Sequence, residues 1–240
     1  MKSIPACAPR WGAEVCGLPG PDRREIYRYL GQQPGSPAPS AELDALVEDC
    51  VAQLLAAARP RTVYSAPLEL VRENGLYLGG TELSGKDIKL HLEHCTHAVL
   101  LAVTLGVQTD ALIRRTEAVD MARAVVLDAA SSVLVEQLAA DAEEELRGQL
   151  ARAGRYLTGR YSPGYGDLPL TLQRDVLRLT DAGRRIGLAV TASGIMTPRK
   201  SITAVLGVAD IPVKGHLAGC GHCVLRSTCI FRKRGQNCGV

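Results

Sequence analysis

Aromatic residues make up only 4% of the 240-residue chain, with one Trp and one Phe. A core built without them must come from Leu, Val and Ala, and no array of rings for stacking nucleic-acid bases is present. Charge of either sign is scarce as an excess. Lys and Arg outnumber Asp and Glu by a net +3, too little to point to nucleic acid or an anionic membrane. No run is long and apolar enough to span a bilayer. The first twenty residues hold no apolar stretch of the signal-peptide kind, so the expected location is the cytoplasm. In that compartment eight cysteines read as metal ligands, small buried residues or redox groups before they read as disulfides. No internal repeat is found.

What is present fits one large domain with an irregular arm and a tail. Residues 1–21 form the arm, with Cys7 and Cys16 outside any motif. Asp22 is placed to cap a short helix, RREIYRYL, which Gly31 stops. A Pro/Gly/Ser linker follows, and Ser40 is placed to cap a helix over 41–58 that ends before Pro60. Cys50 inside it reads as a small buried residue. Residues 62–79 read as extended segments, with Asn74-Gly75 as a hairpin signal. Ser84 and Asp87 have the spacing of a capping box for a helix reaching about His94. The run AVLLAVTLG, 98–106, reads as a buried strand. One long helix is expected over 117–153, where Asp128, Ser132 and Glu136 fall on one face. A helix near 172–181 and two strand-like runs, IGLAVTAS and SITAVLGV, complete the domain to about residue 210.

The most distinctive stretch is RYSPGYGDLPL, residues 160–170. Two prolines and two glycines forbid a helix or a central strand. A rigid, irregular loop is expected, with its backbone groups turned outward to hold a small polar ligand. Arg160 offers a planar fork of donors, Tyr165 a ring and a hydroxyl, and Glu136 a negative charge from the preceding helix.

Arg160-x-x-Pro163-Gly164-Tyr165 resembles the R-x-x-P-G-Y motif of the activation domain of cobalamin-dependent methionine synthase. SGIMTPRKS, residues 193–201, is similar to that domain's S-x-x-M-x-P-x-x-S segment, and the helix with Glu136 takes the place of its acidic helix. GYGDLPL, REIYRYLG and VTLG look closer to free-standing relatives of the domain. The resemblance covers residues 22–208. It implies an α+β fold with a bent antiparallel sheet and flanking helices. It implies S-adenosylmethionine bound by Glu136, Arg160, Ser162, Gly164 and Tyr165, without catalytic residues. It also implies a corrinoid-carrying methyltransferase partner, such as methionine synthase, remethylated with an electron from a flavodoxin- or ferredoxin-type donor. Cobalamin would be met only through that partner. One turn before Glu136 stands Ser132, where the family's helix can carry a second carboxylate; the loop continues Gly-Asp-Leu-Pro where the synthase has a cysteine-containing stretch.

His91, His94 and His97 recur every three residues, which turns successive positions about 300° on a helix, so packing and surface roles are expected. Lys214-x-His216-x-x-Gly219 is similar to the corrinoid signature D-x-H-x-x-G, but Lys cannot accept the hydrogen bond that orients the His. The tail, residues 211–240, holds Cys220-x-x-Cys223, Cys229 and Cys238. That set suits an iron–sulfur cluster or a four-Cys zinc site. The leading reading is a reactivation accessory rather than a complete enzyme. Its rivals are a redox enzyme passing electrons from a tail cluster to a corrinoid protein, a methyltransferase in its own right, and a binding module without ligand.

Overall fold

The computed structural model describes residues 18–32 and 35–213. Most of the N-terminal arm, His216 and the tail cysteines Cys220, Cys223, Cys229 and Cys238 lie outside the described residues.

Helix α1 (Arg23–Tyr29) starts at Asp22, whose carboxylate accepts from the Arg24 N–H. Helix α2 (Ala41–Ala57) starts at Ser40, whose hydroxyl accepts from the Leu43 N–H. Both starts match the sequence signals. Strands β1 (Arg61–Tyr64) and β2 (Leu68–Val71) follow, then β3 (Tyr77–Leu78) and β4 (Thr81–Glu82). The turn between β2 and β3 passes through Asn74 at φ +55°, the left-handed conformation Asn tolerates. Next come α3 (Lys86–His91), β5 (His97–Thr104), α4 (Val107–Glu117) and α5 (Met121–Ala151). The long helix expected over 117–153 is α5, which starts four residues later than expected. Asp120 caps it by accepting from the Arg123 N–H, and α4 occupies a stretch without a clear sequence signal. Strand β6 (Tyr156–Leu157), the motif loop, a 3-10 turn (Leu170–Leu172), α6 (Gln173–Thr180) and α7 (Ala182–Ile186) lead to the small hairpin β7 (Ala189–Val190) and β8 (Met196–Thr197). Strand β9 (Ser201–Ala209) closes the chain's order.

The main sheet is antiparallel and runs β4-β3-β2-β5-β9-β6, with β1 on β5 beside β2. Its centre is the β5–β9 pair, in register from His97 opposite Val208 to Thr104 opposite Ser201. Val99, Leu101 and Val103 of β5, with Ala204, Leu206 and Val208 of β9, pack under α1, α2, α4 and α5. The alternate residues Ala98 and Leu100, with Val205 and Ala209, meet α3 and α6, and Ala102 meets α7. Strands covered on both faces are apolar along most of their length, which is why 98–103 and 204–209 read as apolar runs. At Gly207 a Cβ would lie 2.4 Å from Cys95 Sγ, so only glycine lets α3's end approach the sheet this closely. This is the α+β architecture with a bent antiparallel sheet and flanking helices that the resemblance implies.

Candidate functional site

Arg160 follows β6 and reaches across to α5. Its Nη1 donates to Glu136 Oε2 at 3.1 Å and its Nε to Glu143 Oε2 at 3.2 Å. Glu143 stands seven residues after Glu136, on the same helix face. Its other oxygen accepts from Arg147 Nη2 at 2.6 Å, and Arg147 Nη1 donates to the Leu157 carbonyl at 2.6 Å. Arg160 and Glu143 are well covered, with 23% and 19% of their side chains exposed, whereas Glu136 is 50% exposed. The Glu143 contact is thus the firmer anchor, and the Glu136 contact is the one a ligand can replace at small cost. Glu143 and Arg147 are absent from the sequence-derived set. The i+7 spacing from Glu136 is the signal that points to Glu143.

After Arg160 the chain touches the sheet once, at Tyr161. Its N–H donates to the Val205 carbonyl at 2.9 Å, and the Val205 N–H donates back at 2.8 Å. Residues 162–165 then form a turn closed by the Tyr165 N–H on the Ser162 carbonyl at 3.1 Å. Pro163 and Gly164, the latter at φ +91°, are the central pair that a type II turn requires. The Gly164 N–H donates to the Leu168 carbonyl, and the Leu168 N–H to the Tyr165 carbonyl. These amides turn inward, which corrects the expectation of outward-facing backbone at Ser162 and Gly164. A Pro/Gly loop this tight satisfies its own polar groups first. Among the described residues, the N–H groups of Gly166 and Asp167 make no backbone hydrogen bond, and the Tyr165 side chain is 44% exposed.

The loop rests on a buried support. Tyr161 packs on His91, ring centroids 5.1 Å apart. His91 Nε2 lies 3.0 Å from the Gly159 carbonyl and 2.9 Å from Thr158 Oγ1. A carbonyl only accepts, so that contact requires the proton on Nε2. Burial, with Asp87 and Asp167 nearby, pushes the Tyr161 hydroxyl up to about 12. Asp167 accepts from the N–H groups of Lys86 and Asp87 at 2.5 and 3.2 Å, so the motif loop caps α3. The expected Ser84 capping box is not used: Gly85 is the cap residue and makes no side-chain hydrogen bond. His94 is exposed and His97 is in β5, so the three histidines take separate places. Among the described residues no cluster of His, Cys, Asp and Glu could hold a metal.

The second motif segment meets the same helix. Lys200 Nζ contacts Asp128 Oδ1 at 2.8 Å, the Asp128 carbonyl at 3.1 Å and Ser132 Oγ at 2.9 Å. The row Asp128, Ser132, Glu136 is therefore held by one cation from each motif, Lys200 below and Arg160 above. The two motif segments also touch. A Cβ on Gly164 or Gly194 would lie 3.1 or 3.0 Å from the Leu170 methyls. Tyr165, Leu170 and Ile195 form an exposed apolar rim at that junction.

No protein-family model matches the chain. No curated protein sequence matches it either. Among solved structures, the crystal structure of the MetH reactivation domain bound to AdoHcy is similar, with a TM-score of 0.60 and 17% identity, covering 93% of this chain and 90% of that one. No helix among the described residues is long and apolar enough to cross a membrane. The chain, then, has the fold of the MetH reactivation domain.

Proposed function

We propose that the protein is an S-adenosylmethionine-binding accessory for the reductive reactivation of a corrinoid-carrying methyltransferase of the methionine synthase kind. The observation that carries this reading is the convergence of both motif segments on one face of α5, in the fold of a domain whose crystal structure holds AdoHcy. The donor set suits the ligand. S-adenosylmethionine carries a carboxylate, an ammonium and a sulfonium. Arg160 uses Nη1 and Nε on carboxylates, and its Nη2 is unused among the described residues, so part of the fork is open to the ligand's carboxylate. Glu136, the exposed end of the chain of ion pairs, suits a cationic group. Tyr165 offers its ring, and the turn of Ser162 and Gly164 sets the loop's shape. The protein would position the methyl donor, while the partner supplies the corrinoid and a flavodoxin- or ferredoxin-type protein the electron, in the cytoplasm. We propose further that residues 211–240 form a separate metal-holding tail on Cys220, Cys223, Cys229 and Cys238.

Calorimetry with S-adenosylmethionine tests the site. Loss of a charge-assisted contact costs about 2–3 kcal/mol, so Arg160→Ala should bind roughly 30- to 150-fold more weakly. Equal affinity in the variant, or no binding by the wild type, removes the proposal.

A further inference from the structure

A cleft of about 230 Å³, open to solvent, lies where α4, the N-terminal half of α5 and the segment between β8 and β9 meet. That is smaller than the roughly 300–1,000 Å³ of drug-sized ligand sites, and leaves room for a small ion with a short apolar body. It adjoins the Arg160 cluster and shares with it the row on α5 that Lys200 and Arg160 hold. Along α5, Asp128 in its wall stands eight residues from Glu136, about 12 Å. Val107 and Ile113 supply apolar surface, and the charged lining is Asp110, Arg114, Asp128, Arg199 and Lys200. Three positive charges face two negative ones. Lys200 is committed to Asp128 at 2.8 Å, which leaves two arginines and Asp110.

Those two arginines differ from the ones that are tied down by ion pairs. Arg123, Arg147, Arg155, Arg160 and Arg184 all hold carboxylates. The guanidinium groups of Arg114 and Arg199 have no partner among the described residues. Arg114 stands four residues after Asp110 on α4, a spacing that permits an ion pair, and the pair does not form. Asp110 instead accepts from the Arg199 N–H through Oδ2 at 2.7 Å, while its Oδ1 is buried without a partner. The segment that carries Arg199 is thus pinned twice, by Asp110 and by Lys200, and its guanidinium is left free. With the backbone of Arg199 already fixed, an anion has only the two side chains left to order.

We propose that this cleft is a second ligand site, for a small molecule with a single negative charge, a carboxylate or a phosphodiester. Arg114 and Arg199 clamp the anion, and Val107 and Ile113 take an apolar body. One negative charge balances the cleft's single net positive charge. The inference does not rest on S-adenosylmethionine binding.

Benzoate and dimethyl phosphate are suitable probes, followed through the arginine Nε–Hε signals in NMR. Saturable shifts confined to Arg114 and Arg199 are expected with one probe or both, and the one that binds identifies the anion. The double variant Arg114→Gln/Arg199→Gln should weaken binding at least about tenfold, since each guanidinium contact is charge-assisted. Both side chains are exposed, so the variant should keep the wild-type melting profile. Arg152→Gln, an exposed charge outside the cleft, should bind like the wild type. Shifts that never saturate, or equal affinity in the double variant, overturn the proposal. Competitive displacement of the probes by S-adenosylmethionine also overturns it, because the cleft would then be one end of a single site.

Discussion

A single carbon added at Gly166 would lie 2.5 Å from both the Tyr161 hydroxyl and Asp87 Oδ2, at a φ of +51°. Neither the backbone nor the neighbours accept it, so Gly166→Ala should cost about 1–3 kcal/mol. Gly148 in α5 is the counter-case. Nothing lies within 4 Å of its added Cβ, and Gly148→Ala should stabilise by about 0.5–1 kcal/mol. Urea titration of the two variants should move the midpoint in opposite directions. Tyr161 also predicts a pH dependence. Its hydroxyl is raised to about 12 by burial first, as is that of Tyr27, whose hydroxyl donates to Asp44. The fold therefore favours the neutral phenol. This contribution is fully present below the unfolded value of about 10 and is lost as the pH rises from there towards 12. Stability should fall across that window, and Tyr161→Phe should make the fall shallower. Arg160 shows what the residue scale hides from a sequence reader. Its identity and neighbours marked it as a carboxylate binder, but only the folded chain supplies Glu143, the carboxylate it holds most firmly.

Among elements, α3 depends on a residue eighty positions away. Asp167 caps it through the N–H groups of Lys86 and Asp87, whereas the local Ser84 does not. Asp167→Ala should therefore cost about 1–2 kcal/mol, and Ser84→Ala less than about 0.5, by urea denaturation. Equal effects would return the cap to Ser84. The helices that start on their own caps, α1 and α2, were legible because Asp22 and Ser40 act within three residues. The strands β5 and β9 were legible because burial on both faces writes a continuous apolar run. The start of α5 was read four residues early, because Ala118 to Asp120 contain neither Pro nor Gly and Asp120 is one acidic residue among many. α3's start was misread for a similar reason. A capping box is a local pattern, and a loop folded back from residue 167 overrode it.

For the whole molecule, the arrangement of layers followed from the resemblance more than from any period, since a seven-stranded sheet with three two-residue strands leaves little pattern in sequence. The tail is a separate matter of composition. Four of the eight cysteines fall in residues 220–240, too few residues for a core of their own. Anaerobically purified protein should contain iron with acid-labile sulfide, or zinc. Replacing Cys220 and Cys223 by Ser should release it and leave the preceding domain folded, as elemental analysis and circular dichroism would show. Metal retained by that variant would move the ligands elsewhere.

The pairing of β5 with β9 sets a schedule on the ribosome. Residues 97–104 leave the exit tunnel about a hundred residues before 201–208, the strand they pair with over their whole length. At about 5–20 residues per second, β5 waits roughly 5–20 s for that partner. During the wait it is a strand apolar at six consecutive positions, 98–103, with a free edge. Any pause in translating the stretch between the two strands lengthens that exposure, and makes the nascent chain a client for chaperones that hold extended apolar segments.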